Sequence, residues 1–439
     1  MTLRKLTSPN TLDTYNPSVL IKTIDMKILH TADWHLGVNL YNESLEEDHH
    51  LFLEWLIKTC IPEHQPDVII ISGDVFDKAN PSTNARRQYY RFLSQLLHLG
   101  IKEVIITAGN HDSPSMLEAP RELLHQLNIH VIGTPTENIE EMLIPIVDTA
   151  DGKTKVVIAA VPFVRDQDVR FSQTGDNQDM REDALRKGIY NYFEAIAKAA
   201  EPYRLNKVPV ICMAHLFASG VTLSDSERPV QIGNLADVGA DCFPKEHFDY
   251  VALGHIHGMQ NVEGNNYIWY SGSPIALSFS EWKQMKYLRL VTIESSKLQS
   301  IEIEIPHFRK LLRIDGDFLS VKAKVKNLTR KEVLPSLLEI TILEEHYNPL
   351  LGREVAQWIE EVTRLEKEQF KIASYRYHFS NAPKKLSSLT SSQSVAELKP
   401  EEVFINKLDN AAISNVEERE LILESFYKIL AETQTEEQE

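Results

Sequence analysis

The run DVIIISGD, residues 67–74, holds four consecutive β-branched aliphatic residues followed at once by a Gly-Asp step. A strand with one wet face alternates apolar and polar residues. An unbroken apolar run this short suits a strand covered on both faces. Five more runs share the form: KILHTAD (27–33), EVIITAGN (103–110), KVVIAAVPF (155–163), PVICMAH (209–215) and YVALGH (250–255). Between them, SLEEDHHLFLEWLIKTC and TNARRQYYRFLSQLLHLG carry helical spacing. Buried strands alternating with amphipathic helices define an α/β layered domain. The later runs NYIWYSGS, MKYLRLVTIE and SIEIEIP predict an antiparallel contribution that completes the sheets.

The rest of the chain bounds this domain. A length of 439 residues leaves room for two or three domains, and 43% hydrophobic with 25% charged residues is ordinary for a globular protein. Residues 1–25 fit no element and read as a flexible extension without the apolar core of a signal peptide. The layered domain is expected over 26–307. LLEITILEE, PLLGREVAQWIEEVTRLEKEQ and FKIASYRYHF then predict strand, helix, strand, a small α+β module over 308–384. KLSSLTSSQSVAELKP (385–400) reads as a Ser-rich linker, and 401–439 as helical. In that last segment Leu423, Phe426, Tyr427 and Leu430 share one helical face.

No stretch has the roughly 18 apolar residues of a membrane span, so no membrane association is expected. Cys60, Cys212 and Cys242 are widely separated and form no metal or disulfide pattern, which suits a reducing cytoplasm. The net charge of −17 argues against a broad nucleic-acid-binding surface without excluding a local one. Part of that excess lies in the tail ILAETQTEEQE, and carboxylates that hold cations would also count.

Five of the six buried runs end in a residue suited to metal binding. TADWHLG supplies Asp33 and His35, SGDVFD supplies Asp74, AGNHDSP supplies Asn110, His111 and Asp112, the fifth run ends at His215, and GHIH supplies His255 and His257. In open α/β sheets ligands bind beyond the carboxyl ends of the strands, where distant parts of the chain converge. A strand-end Asp alone is more often a turn or cap residue, and a lone strand-end His more often a bonded core imidazole. All of them in this order are hard to produce by accident. Carboxylate, imidazole and amide oxygen suit manganese, iron or zinc. The set divides over two ions, with central Asp74 able to bridge. Two such cations clamp a phosphate and stabilise its leaving oxygen. His255 and His257, two apart in an extended segment, would project to one side with Ile256 facing the core.

The order D-x-H, G-D-x-x-D, G-N-H-D, strand-end His and G-H-x-H resembles the signature of calcineurin-like metallophosphoesterases. HTADWHLG, SGDVFD and YVALGHIHGMQ followed by YSGSPIALSFSE resemble the bacterial SbcD branch of nucleases, over Met26 to about Glu304. The resemblance implies a β-sandwich flanked by helices, a small α+β capping domain and C-terminal helices. It implies one ion, expected to be manganese, on Asp33, His35, Asp74 and His257, and a second on Asp74, Asn110, His215 and His255. His111 would contact the scissile phosphate and help the leaving group depart, with Asp112 suited to orient its imidazole. Asp77 departs from the archaeal and eukaryotic relatives, which carry histidine there, and reads equally as a loop residue capping the next helix. Ser226, Glu227 and Arg228 in SDSERP also match the branch without an evident role.

The implied activity is 3′→5′ exonuclease on duplex DNA and endonuclease on single-stranded or hairpin DNA, in repair, recombination and replication. The implied partner is an SbcC-type SMC ATPase, bound by a homodimer, with the Leu423, Phe426, Tyr427, Leu430 stripe as docking surface. DNA contacts are less visible; Arg86, Arg87 and Arg91 on the helix after the second motif, and Arg165 and Arg170, are candidates. Two other readings share the residues: a phosphatase or cyclic-nucleotide phosphodiesterase, and a DNA-tethering protein with structural metals.

Overall fold

The computed structural model describes residues 25–136, 138–149, 151–169, 178–227, 238–345 and 350–380, together with Phe404, Ile422, Ser425 and Phe426. The chain forms two compact units: Met1–Arg313 with Arg330–Leu338 and Glu368–Ala373, and Ile314–Thr329 with Glu339–Lys367 and Ser374–Glu439.

The first unit is built on two six-stranded sheets. In chain order its strands are β1 (Met26–Thr31), β2 (Val68–Ser72), β3 (Glu103–Thr107), β4 (Ile129–Ile132), β5 (Leu143–Val147) and β6 (Thr154–Ala160). They continue with β7 (Val210–His215), β8 (Tyr250–Gly254), β9 (Gln260–Asn261), β10 (Ile268–Tyr270), β11 (Tyr287–Glu294) and β12 (Lys297–Glu304). One sheet has the order β12-β11-β1-β2-β3-β4, the other β9-β10-β8-β7-β6-β5. The centre of each is parallel, and antiparallel pairing is confined to the flanks.

The two-residue period of a strand assigns each aliphatic side chain to a layer. In β2, Val68 and Ile70 enter a core shared by both sheets, with Ile158 and Met213 from the other sheet. Ile69 and Ile71 point the opposite way, into a core with Phe52 of helix α1 (Glu46–Trp55) and Phe92 of helix α2 (Thr83–Leu96). On the far side, Cys212 and Ala214 of β7 meet Leu185, Ile189 and Phe193 of helix α3 (Gln178–Leu205). Helix, sheet, sheet and helix form four layers, and each central strand is buried on both faces. That explains its unbroken apolar sequence.

Several features depart from the expected pattern. Ile268–Tyr270 pairs parallel to β8, and is antiparallel only to the two-residue β9. Strands β4 and β5 and the 28-residue α3 were not anticipated. The edge strands are only four and five residues long, IHVI and LIPIV, too short to stand out as runs. Helix α1 continues through a π-turn at Leu56–Cys60.

Three strands, β13 (Leu311–Gly316), β14 (Ser336–Glu344) and β15 (Phe370–Phe379), begin in the first unit and run on into the second. The second unit adds helix α4 (Phe318–Lys326), capped by the Asp317 carboxylate on the Ser320 amide, and helix α5 (Leu351–Glu366). The Phe318 and Trp358 rings meet edge to face at 5.6 Å. Phe426 stacks on Phe404 at 3.8 Å; Leu423, Tyr427 and Leu430 lie outside the described residues.

Candidate metal centre

Parallel register brings the motif loops together. Thr31 of β1 is level with Ile71 of β2, Ser72 with Thr107 of β3, and His215 of β7 with Gly254 of β8. Every expected ligand follows or ends one of these strands, so all emerge at the same end of the sandwich. The loops then bind one another: the Asp33 amide donates to the Gly73 carbonyl at 3.1 Å and the His35 amide to the Asp74 carbonyl at 2.9 Å.

Asp33, His35, Asp74 and His255 all have positive φ, between 46° and 104°. For residues with a Cβ this conformation is uncommon and costs on the order of 1 kcal/mol or more each. Four strained residues at one spot mean that the folded scaffold imposes their directions. His255 is therefore not extended, and the rule that i and i+2 share a side does not govern the pair. The kink sends His255 Nδ1 to within 3.1 Å of Asn110 Oδ1, while His257 Nε2 lies 3.2 Å from His35 Nε2. Ile256 between them is fully buried in the α3-side core, as expected.

Asp74 Oδ2 stands 3.5 Å from His35 Nε2 and 3.4 Å from His215 Nε2. Ligand-atom clusters form from Asp33, His35 and His257, and from Asp33, Asp74 and His215. Two nitrogens each about 2.1 Å from one ion would themselves lie roughly 3.0–3.4 Å apart. The observed separations thus match ligand–ligand spans on either side of Asp74. A further cluster joins His35, Asp74 and His111.

The donor inventory agrees. Asp33 Oδ1 accepts the His255 amide at 2.8 Å, but Oδ2 is buried with no hydrogen-bond partner. His215 Nδ1–H donates to the Ser72 carbonyl at 3.0 Å, which turns Nε2 toward Asn110 Oδ1 3.0 Å away. A buried carboxylate oxygen with no partner calls for a cation. Burial, reinforced by Asp74, raises the Asp33 carboxyl well above the carboxylate range. Burial depresses His35 and His255 to about 3 and holds His257 well below the ordinary imidazole range, so these imidazoles are neutral and ready to ligate. Against burial, Asp74 holds His215 up at about 9, and His215 in turn draws Asp74 well below its ordinary range. A divalent ion would take over that counter-charge role. The residues fit a pair of divalent cations.

His111 is only partly buried, unlike the carboxylates and the other imidazoles. Its amide donates to Asp74 Oδ1 at 2.8 Å, and its Nδ1–H donates to the Asp77 carbonyl at 2.8 Å, leaving Nε2 for proton chemistry. This corrects the expected Asp112–His111 pairing. Asp112 accepts the amides of Gly109 (2.9 Å), Phe76 (2.9 Å) and Val75 (3.1 Å), tying the two central loops together. Burial and then Asp74 push its carboxyl up to about 7 despite those bonds. Asp77 is not a helix cap either: α2 is capped by Ser82 on the Ala85 amide.

Ser226 and Glu227 gain contacts. Ser226 Oγ is 2.6 Å from His257 Nδ1, and Glu227 accepts the His257 amide at 2.9 Å. Glu281 and Lys286, missed in the sequence, are buried beside them. Their spacing of five residues carries no recognisable pattern. Arg87 and Arg91 line a groove of about 570 Å³ with Glu46, Glu47 and Glu54, a mixed-charge surface that contains none of the candidate ligands. Arg86 is exposed on the same helix, Arg165 is exposed, and Arg170 and Arg228 lie outside the described residues.

Comparison with known proteins adds to this geometry. Residues 26–259 match the calcineurin-like phosphoesterase family, and residues 307–411 match the family described as the type 5 capsule protein repressor C-terminal domain. The SbcD component of the nuclease SbcCD from Escherichia coli K12 is 36% identical over 73% of this chain and 79% of its own length. Its namesakes from Bacillus subtilis and Staphylococcus epidermidis are 36% and 32% identical, over 62% and 69% of this chain and 66% and 76% of their own lengths.

Proposed function

The chain belongs to the calcineurin-like phosphoesterases and, within them, to the SbcD family, and from that premise we propose that its site is the catalytic centre of a metal-dependent nuclease component. It is a hydrolase of phosphodiester bonds, with DNA as substrate. The observation that carries this reading is Asp74 Oδ2 standing between His35 and His215, each about one ligand span away.

Asp33, His35, Asp74 and His257 would hold one ion, and Asp74, Asn110, His215 and His255 the other. Divalent cations bound there supply charge neutralisation on the phosphate and on the incoming and departing oxygens. Manganese is the proposed metal. The protein's own contribution is orientation. The four positive-φ residues aim their ligands before substrate arrives, Asp112 locks the loops through three amides, and His111 keeps Nε2 available for the leaving oxygen. The mostly buried ligands keep water from competing for the cations.

Within the same reading, the enzyme removes nucleotides 3′→5′ from duplex ends and cuts single-stranded and hairpin DNA in repair, recombination and replication. It works in the cytoplasm at the nucleoid, as a homodimer with an SbcC-type SMC ATPase. The segment with Leu423, Phe426, Tyr427 and Leu430 is the proposed docking region. Phe426 already stacks on Phe404, so that docking would use the two rings as a unit. Among the described residues no helix is long and apolar enough to cross a membrane.

The test is incubation of the purified chain with end-labelled duplex and hairpin DNA and Mn²⁺, with and without the ATPase. Cleavage that disappears on chelation is expected. Hydrolysis of small phosphomonoesters without cleavage of DNA would favour the phosphatase reading instead.

A further inference from the structure

Glu281 and Lys286 form an ion pair that is almost fully buried, with the side chains 0% and 6% exposed. Buried ion pairs contribute little net stability because desolvation offsets their attraction. Here two arms of the group lead to His257, one to its carbonyl and one to its ring. The Lys286 ammonium has three hydrogens, and it donates them to Glu281 Oε2, to Ser273 Oγ at 3.0 Å and to the His257 carbonyl at 3.0 Å. The other Glu281 oxygen, Oε1, accepts from Ser226 Oγ at 2.6 Å. A carboxylate only accepts, so the single Ser226 hydroxyl hydrogen is committed to Glu281. Ser226 Oγ can then only accept at its 2.6 Å contact with His257 Nδ1.

The direction of each bond follows. His257 must carry its proton on Nδ1 and present a bare lone pair at Nε2, 3.2 Å from His35 Nε2. Glu227 Oε1 accepts the His257 amide at 2.9 Å and Glu227 Oε2 the Ser224 amide at 2.5 Å, so the main chain is held as well as the ring. We propose that Lys286, Glu281 and Ser226 form a positioning relay that sets the tautomer and ring orientation of His257 for one of the two cations. The proposal rests on the metal-centre reading above and deepens it. These three are positioning residues; none is proposed to touch substrate.

The relay predicts an asymmetric effect. His257 would serve the cation on the His35 side, whereas His215 takes its orientation from the Ser72 carbonyl, outside the relay. Loss of a hydrogen-bond partner behind a ligating histidine weakens metal binding by about 10–100-fold. Calorimetric titration of the full chain with MnCl₂ should therefore show two sites in the wild type. Ser226→Ala should weaken one by about 10–100-fold and leave the other unchanged. Ser226→Thr, which keeps the hydroxyl, should restore it. In the metal-free wild type, nitrogen-15 NMR should find His257 protonated on Nδ1, and this readout needs no variant to fold.

Wild-type affinity at both sites in Ser226→Ala, or a His257 protonated on Nε2, overturns the relay while leaving the nuclease reading intact. A wild-type chain that takes up no Mn²⁺ overturns both.

Discussion

At His111 the chemistry rests on one nitrogen. Its Nδ1–H is committed to the Asp77 carbonyl and its amide to Asp74, so only Nε2 remains for a proton in transit. General acid catalysis of this kind contributes about 10²–10⁴-fold. His111→Ala is expected to lower DNA cleavage by that order while Mn²⁺ stoichiometry stays at the wild-type value; full activity would remove the role. Gly109 shows the opposite economy, because its use is the absence of a side chain. A Cβ there would sit 2.1 Å from Asp74 Oδ1. Gly109→Ala should therefore displace the Asp74 carboxylate and abolish tight Mn²⁺ binding, as titration of the folded variant would reveal. His30 is a residue-scale stability device. Burial, and then Arg289 opposite it on β11, lower its pKa from 6.5 to about 3. The folded state keeps it neutral while the unfolded state protonates below 6.5. Its stability contribution is thus full above pH 6.5 and lost progressively as pH falls toward 3. Between about pH 7.5 and 5.5 urea unfolding should lose about 1 kcal/mol at this site, a loss that His30→Asn should not show.

The loops are the elements on which the site depends, and Asp112 is their fastener. It joins the loop after β2, through Val75 and Phe76, to the loop after β3, through Gly109. Removing it would leave three amides without their acceptor in a dry interior. Asp112→Ala should cost about 3 kcal/mol or more, seen as a lower urea midpoint, and should weaken Mn²⁺ binding with it. A variant with wild-type stability would mean that water replaces the carboxylate. The loop after β8 works differently: the φ of 104° at His255 turns the chain so that His255 reaches Asn110 while His257 reaches His35.

For the whole molecule, the four layers supply rigidity and the ends of the strands supply the site. Each sheet is sealed by helices, and the inter-sheet core of Ile28, Ile70, Ile158 and Met213 holds the two halves of the ligand set in register. Within the metal-free site, buried carboxylates and a charged His215 compensate one another incompletely. Cation binding therefore couples to global stability. At Mn²⁺ about 100-fold above its dissociation constant, stabilisation of about 2.7 kcal/mol per site is expected. Thermal unfolding should shift upward with Mn²⁺ and return on chelation; an unchanged transition would exclude tight binding to the folded chain.

Much of this was legible in the amino acids themselves. Unbroken runs such as DVIIISGD point to strands buried on both faces, because the run is short, β-branched and closed by a Gly-Asp turn step. Parallel strands then place Asp33, Asp74, Asn110 and His215 at one end. Contacts between distant segments were beyond the reach of such patterns. The pairing of Ile268–Tyr270 parallel to β8, the Asp112 fastener and the line from Lys286 through Glu281 and Ser226 to His257 join residues with no shared period or spacing. Periodicity reports which face of an element is dry, and that is a local property of the chain. Which hydrogen goes to which oxygen depends on small differences in distance, and only the assembled layers set those.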